Sequence, residues 1–342
     1  MSMGGMRRVL GVLAILGVCT AFAGGAGAAS HAESAPRVAV VLDLGGCPDA
    51  MTLRICEGFK QASRRTGVTG RVMTPTFKDA LGDFLELIAR QRYEAILTFG
   101  LYFTPAYASV AMRHPDVPFV VIDGSRRDVP RRPKNTQGVV FRTSEAAYLA
   151  GWLAGKLEQR QPGRDVVGVV GGLKVPAVDE FVFGFAAGAR RASPGIEVLT
   201  DYSKDWSDAS KCAAIARRQI ARGAGTVFNV AGGCGLGTLE AARSAGVWGV
   251  GVDSDQSFLG PHILTSVLKN FDVGFEAVMR QVKARRIVTG RDTVLTMRDG
   301  AVGLGRISPK VPRALLTQLE VLRRKIVAGE IRVPGALPPT PS

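Results

Sequence analysis

Short β-branched apolar runs alternate with amphipathic stretches through most of this chain. "VAVVLD" precedes "MTLRICEGFKQASRRTG", "AILTFG" precedes "TPAYASVAMRHP", and "DVVGVVGG" precedes "VDEFVFGFAAGARRA". Further on, "GTVFNVAGG" leads into "LGTLEAARSAG" and then "VWGVGVD". An apolar run without polar alternation is a strand covered on both faces, and a helix between two such runs supplies the crossover that parallel pairing requires. The pattern predicts an α/β protein built on parallel sheets.

Within "EAAYLAGWLAGKLEQR", Tyr148, Leu149, Trp152, Leu153 and Leu157 recur at spacings of three and four, which predicts a helix. Thr143 or Ser144 is placed to cap it, with Glu145 in the first turn. Gly151 and Gly155 are expected to bring the helix close to a sheet rather than to touch a ligand. The stretch "GSRRDVPRRPKNTQG" has no apolar period and reads as a surface connection. The predicted organisation is two doubly wound lobes joined by crossover strands. Residues 37–140 and 254–300 form the first, residues 141–253 and 301–330 the second, and residues 331–342 a flexible tail. Open α/β sheets bind ligands at the carboxyl ends of their strands, so a ligand cleft is expected between the lobes.

The 342 residues, 46% of them hydrophobic, are enough for two medium cores. The start is different in kind. "MRRVLGVLAILGVCTAFAGGAGAAS" has a basic head, an apolar run and small residues near Ala26 to Ala28, which describes a secretory signal over residues 1–28 and predicts export to the cell envelope. Its apolar run is too short to span a bilayer. "LGVC" resembles a bacterial lipobox, which makes Cys19 a candidate for lipid attachment to the membrane, although valine stands where a small residue is usual.

A formal net charge of +15 raises the question of nucleic acid. The only dense basic runs are "RRDVPRRPK" and "KARR", and neither interleaves aromatic residues. They read as a solvated basic surface facing an anionic envelope, and no nucleic-acid partner is expected. Cys47, Cys56, Cys212 and Cys234 match no metal or redox spacing, and their pairing stays open. His31, His114 and His262 are scattered, so no metal site is expected.

The most informative stretch is "NVAGGCGLGTLEAARSAGVWGVGVDSDQS". Gly232 and Gly233 follow a strand and precede a helix, so bare backbone N–H groups can approach a polar ligand. Asp253 ends the next strand at the same sheet edge, where a carboxylate can accept two hydroxyl hydrogen bonds from a sugar. A dinucleotide fingerprint fails in both frames, because Thr238 or Glu240 stands where the third glycine is required. Neither a P-loop nor a G-x-S-x-G elbow is present, and no nucleophile, base and orienter come together. No catalytic residue and no cofactor is assigned; the chain does not read as an enzyme.

"AGGCGLGTLEAARSAGVWGVGVDSDQS", "LTSVLKNFDVGFEAV" and "DGAVGL" resemble the basic membrane protein family of ABC-transporter substrate-binding proteins. "FGLYFTPAYASVAMRHPDVPFVVID", "GVVFRTSEAAYLAGWLAG" and "VGVVGGLKVPAVDEFVFGFAAGA" fall in the order that family requires, from about Val38 to Gly305. The resemblance implies a type I periplasmic-binding-protein fold, monomeric, closing by a hinge on a purine nucleoside or similar small polar molecule and delivering it to an ABC transporter permease. It implies that Asp253 accepts ribose hydroxyls, that Lys269 donates to the sugar or neutralises Asp253, and that Asp123 faces the base. Phe181 and Phe228 become candidate apolar walls, and Gly232 and Gly233 candidate backbone contacts.

One region departs from the family. Receptors of this kind usually follow the first strand with an acidic residue and an "SFN"-like segment whose ring stacks on the base, whereas this chain has "DLGGCPDAMTLRICEG". Asp43 and Asp49 survive as ligand candidates, and Met51, Thr52 or Leu53 stands in place of the ring. The sugar end is retained while the base end has changed. The rival reading is a ligand-sensing signalling protein of the same fold with a non-nucleoside ligand; the chain shows neither a DNA-binding module nor an output domain to go with it.

Overall fold

The apolar runs become the inner strands of two sheets. The computed structural model describes residues 35–42, 46–47, 50–75, 80–99, 104–161 and 165–335. The expected signal, Cys19, Asp43 and Asp49 lie outside these residues. In the first lobe, β1 (Arg37–Val41), β2 (Thr69–Met73), β3 (Ala95–Phe99), β4 (Phe119–Ile122) and β5 (Thr136–Phe141) alternate with α1 (Ala50–Thr66), α2 (Leu81–Ala89) and α3 (Thr104–Arg113). The second lobe contains α4 (Thr143–Glu158), β6 (Val166–Gly171), α5 (Pro176–Ala192), β7 (Glu197–Tyr202), α6 (Ala209–Ala221), β8 (Thr226–Val230), α7 (Gly235–Ala245), β9 (Trp248–Asp253) and β10 (Ile263–Lys269). The chain then returns to the first lobe as α8 (Phe271–Lys283) and β11 (Asp292–Leu295), and to the second as β12 (Val302–Leu304) and α9 (Arg313–Ala328).

The strand orders are β11-β5-β4-β3-β1-β2 and β12-β10-β9-β8-β6-β7, so the two sheets share one topology. Pairing is parallel except for β12, which runs antiparallel to β10. Equivalent registers follow: Ile122 faces Val139 in the first sheet as Val252 faces Val267 in the second. Asp123 and Asp253 therefore close equivalent strands, and both sit in the left-handed region at φ 61°. Aspartate is one of the few non-glycine residues that tolerate this conformation.

Two expectations about organisation are corrected. The second lobe does not stop at residue 253, because β10 pairs along β9 and carries the lobe to Lys269. The return begins with α8, which packs on α1 through an edge-to-face contact of Phe59 and Phe275 at 5.7 Å and through the Arg65–Asp272 ion pair. The tail also begins later than residue 331, since Ile331 and Val333 pack against the main core.

Three crossings join the lobes, and they are bonded to one another. Arg142 N donates to Leu295 O at 2.8 Å, Asn270 N to Ala301 O at 2.8 Å, and Met297 N to Glu145 Oε2 at 2.7 Å. The start of α4 is consequently not capped by Thr143 or Ser144. Arg142 holds the N-cap position, and its side chain does not cap the helix, while Ser144 Oγ donates to the buried Glu180 on α5 at 2.6 Å. Gly151 and Gly155 do mark close packing, but against α5 rather than a sheet: a Cβ at Gly151 would lie 2.0 Å from Phe185 O. Gly188 of α5 answers from the other side, 1.9 Å from Tyr148 O on the same measure. Small residues on both helices let the backbones interlock.

The four cysteines pair as Cys47–Cys56 and Cys212–Cys234, with Cα separations of 5.9 and 5.6 Å. The first ties the segment after β1 to α1. The second ties the glycine turn before α7 to α6. Each disulfide therefore anchors a loop at the carboxyl edge of one sheet.

Candidate functional site

Lys269 ends β10 at the crossing between lobes, with only 5% of its side chain exposed. Its Nζ donates to Asp123 Oδ2 at 2.7 Å and lies 3.9 Å from Asp253 Oδ1. The aspartates that close equivalent strands of the two lobes thus share one cation. The closer partner is Asp123, where the family resemblance alone pairs Lys269 with the sugar or with Asp253. Three rings enclose the ammonium, with centroids of Phe181, Phe271 and Phe141 at 5.0, 5.7 and 6.0 Å. Rings at these distances stabilise a cation through their electron-rich faces.

Burial works against the charged ammonium, but Asp123 and Asp253 outweigh it and hold the Lys269 pKa above the usual lysine value. Burial pushes the Asp253 carboxyl above its ordinary range; Lys269 opposes that shift, Asp123 adds to it, and Arg54 opposes it from α1. Among the described residues, Asp253 Oδ1 is buried without a hydrogen-bond partner, although 29% of the side chain remains exposed. An acceptor in that state favours any donor brought to it.

The other expected residues divide. Phe181 is buried at 2% exposure beneath Lys269. Phe228 has no exposed surface and is packed against Phe185 at 5.1 Å and Phe181 at 6.2 Å, so the structure places it in the core and not on an open wall. Gly232 has φ 56°, and the turn is held by Cys234 N donating to Trp206 O at 2.9 Å. In the changed segment, Thr52 is buried and its hydroxyl donates to Gly46 O, which holds the loop. The side chain of Met51 is outside the described residues. Leu53, at 45% exposure, and Arg54, also exposed, are left to present a surface from the first turns of α1.

Pattern reading passed over Trp206, Phe141, Phe271, Glu180 and Arg54. Trp206 is half-buried against the end of β6, where a Cβ at Gly172 would lie 2.4 Å from its ring. The bare glycine lets the indole lie on the backbone beside the glycine turn. The sequence signal for this aromatic was its place in the loop leading to α6, just before the N-cap Asp208. Phe141 and Phe271 flank the crossings and could have been found from "GVVFR" and "LKNF". Among the described residues no cluster has metal-ligating character, and no helix is long and apolar enough to cross a membrane.

Two lobes of one topology, three crossings and an ion cluster joining their carboxyl edges define a binding protein of the type I periplasmic-binding fold. A family model described as "ABC transporter substrate-binding protein PnrA-like" matches residues 40–336, and the chain belongs to this Bmp family. It is similar to "Basic membrane protein B" of Borrelia garinii subsp. bavariensis, 35% identical over 246 residues covering 70% of this chain and 69% of that protein. Among solved structures it resembles an ABC transporter solute-binding protein from Aeropyrum pernix K1, at TM-score 0.74 and 22% identity, covering 87% of this chain and 94% of that one. A transcriptional activator of the comK gene from Bacillus halodurans has the same fold, at TM-score 0.71 and 20% identity, covering 86% and 99%.

Proposed function

We propose that this protein is the exported substrate-binding component of an ABC importer, and that it captures a nucleoside or nucleoside-like molecule between its lobes without chemical change. The observation that carries the reading is the Asp253 carboxylate: Oδ1 buried without a hydrogen-bond partner among the described residues, 3.9 Å from Lys269. A vicinal diol supplies two O–H donors to one carboxylate, which is the grip a ribose requires. The glycine turn offers backbone N–H groups at the same sheet edge. Trp206 offers the second lobe's aromatic face to a base, in place of the ring missing from the segment "DLGGCPDAMTLRICEG". Leu53 and Arg54 close the other side.

Closure is favoured by contacts that only the two lobes together provide. The bonded crossings, Arg142 with Leu295 and Asn270 with Ala301, form the hinge. Isothermal titration against inosine, guanosine, adenosine, ribose and free bases tests the reading, with scattering to detect compaction. A purine nucleoside is expected to bind, and Asp253→Asn to weaken it at least tenfold. Binding of sugars alone would remove the base from the proposal, and binding of nothing in the panel would leave only the fold.

A further inference from the structure

Two basic runs, far apart in sequence, approach one edge of the first lobe. Asp292 at the start of β11 accepts Ser125 Oγ at 2.6 Å and Arg126 N at 2.8 Å, and Gly290 N donates to Thr136 O at 2.8 Å. These bonds lay "RRDVPRRPK" beside Gly290 and Asp292, at the end of the connection that begins with Lys283–Arg286. Arg131, Arg132, Lys134, Arg285, Arg286 and Arg291 are all exposed there. The two nearby carboxylates are engaged with the protein's own loops: Asp128 accepts from Ser125 N at 3.3 Å, and Asp292 makes the bonds just given. Both carboxylates keep their charge, but the six exposed cations outnumber them.

Helix ends explain only part of it. Arg280 and Lys283 complement the carboxyl end of α8, as basic residues commonly do. Arg131, Arg132, Lys134 and Arg291 lie in turns with no helix end to complement. Arg131, Arg132 and Arg285 also hold left-handed backbone, at φ 58°, 43° and 51°, where glycine or asparagine would be the unstrained choice. The cations stand on separate turns at the amino-terminal edge of the sheet, away from the Asp123 cluster. Neither run contains an aromatic residue on which a nucleic-acid base could stack. Exposed cations spread over separate turns, with no aromatic residue in either run, suit a diffuse anionic surface better than a single ion or a base.

We propose that this edge of the first lobe is a docking face for anionic phospholipid headgroups, and that it holds the protein on a membrane surface independently of what the cleft binds. The test is partition of the purified full chain onto phosphatidylcholine vesicles with and without phosphatidylglycerol. Uncharged vesicles measure any contribution from the apolar leader. Partition onto the anionic vesicles is expected, falling as salt is raised. Lys134→Gln, Arg286→Gln and Arg291→Gln together are expected to lower it about a hundredfold, from roughly one factor of five per cation. The matched variant Arg190→Gln, Arg191→Gln and Arg218→Gln removes the same charge from exposed positions of the second lobe and should change partition by less than about threefold.

Equal losses in the two variants would mean that net charge alone is responsible and would overturn the proposal. So would equal partition onto both vesicle types, or capture by immobilised polyglutamate with none by vesicles, which would assign the face to an acidic protein. Ligand titrations run on the same variants should be unchanged, which separates this inference from the reading of the cleft.

Discussion

Lys269 Nζ stands 2.7 Å from Asp123 Oδ2, so the end of a strand in the second sheet is bonded to the loop that ends a strand in the first. The same ammonium is 3.9 Å from Asp253 Oδ1, the equivalent aspartate of its own lobe. One buried cation therefore bridges the two lobes. Four expectations follow from this arrangement and the packing behind it.

Lys269→Met should leave the half-buried Asp123 without its cation. Breaking a buried pair from one side is costly, so unfolding free energy from urea titration is expected to fall by about 3 kcal/mol. Adding Asp123→Asn should restore part of it. A loss no larger than that of a surface substitution would show that solvent already screens the pair.

The raised pKa of Asp253 sets a pH dependence with a definite sign. The folded protein holds this proton more tightly than the unfolded chain, whose value is near 3.8. The stabilising contribution is fully present below that value and is lost as pH rises through the folded pKa. Asp253→Asn should remove this component from thermal melts recorded across the acid range, and should make the ligand-free protein more stable at neutral pH. Ligand affinity should move the opposite way in the parent protein, rising as the carboxylate ionises.

Trp206 should report ligand directly. Of the three tryptophans, Trp152 is buried in α4 at 7% exposure, and Trp248 lies at the opposite end of β9 from Asp253. A nucleoside that stacks on Trp206 is expected to quench fluorescence, and Trp206→Phe should abolish the change while retaining most of the affinity. Quenching that survives the substitution would place the base elsewhere.

The glycines of α4 and α5 give a packing test with an internal control. At Gly188 a methyl group would be 1.9 Å from Tyr148 O, and neither backbone can yield without separating the helices. Gly188→Ala should lower stability by about 3 kcal/mol or prevent folding. Gly303→Ala in β12 meets nothing within 4 Å and should be close to neutral by the same denaturation assay.

The sequence by itself determined the α/β class, because an apolar run covered on both faces has few other structural solutions. It also put Asp253 at a strand end beside the glycine turn, since both are local features, whereas Asp123 and Lys269 were singled out only through the family resemblance. Tertiary structure alone decided which lobe owns β10, because Ile263–Lys269 fits either sheet by composition and only its pairing with β9 assigns it. The same holds for the disulfide pairs, for the choice of Asp123 over Asp253 as the nearer partner of Lys269, and for the approach of two distant basic runs to one edge. Periodicity records which face of an element is covered. It does not record what covers it, and charge pairing, cysteine pairing and the Phe228 core contact all depend on distances between segments that no local pattern encodes.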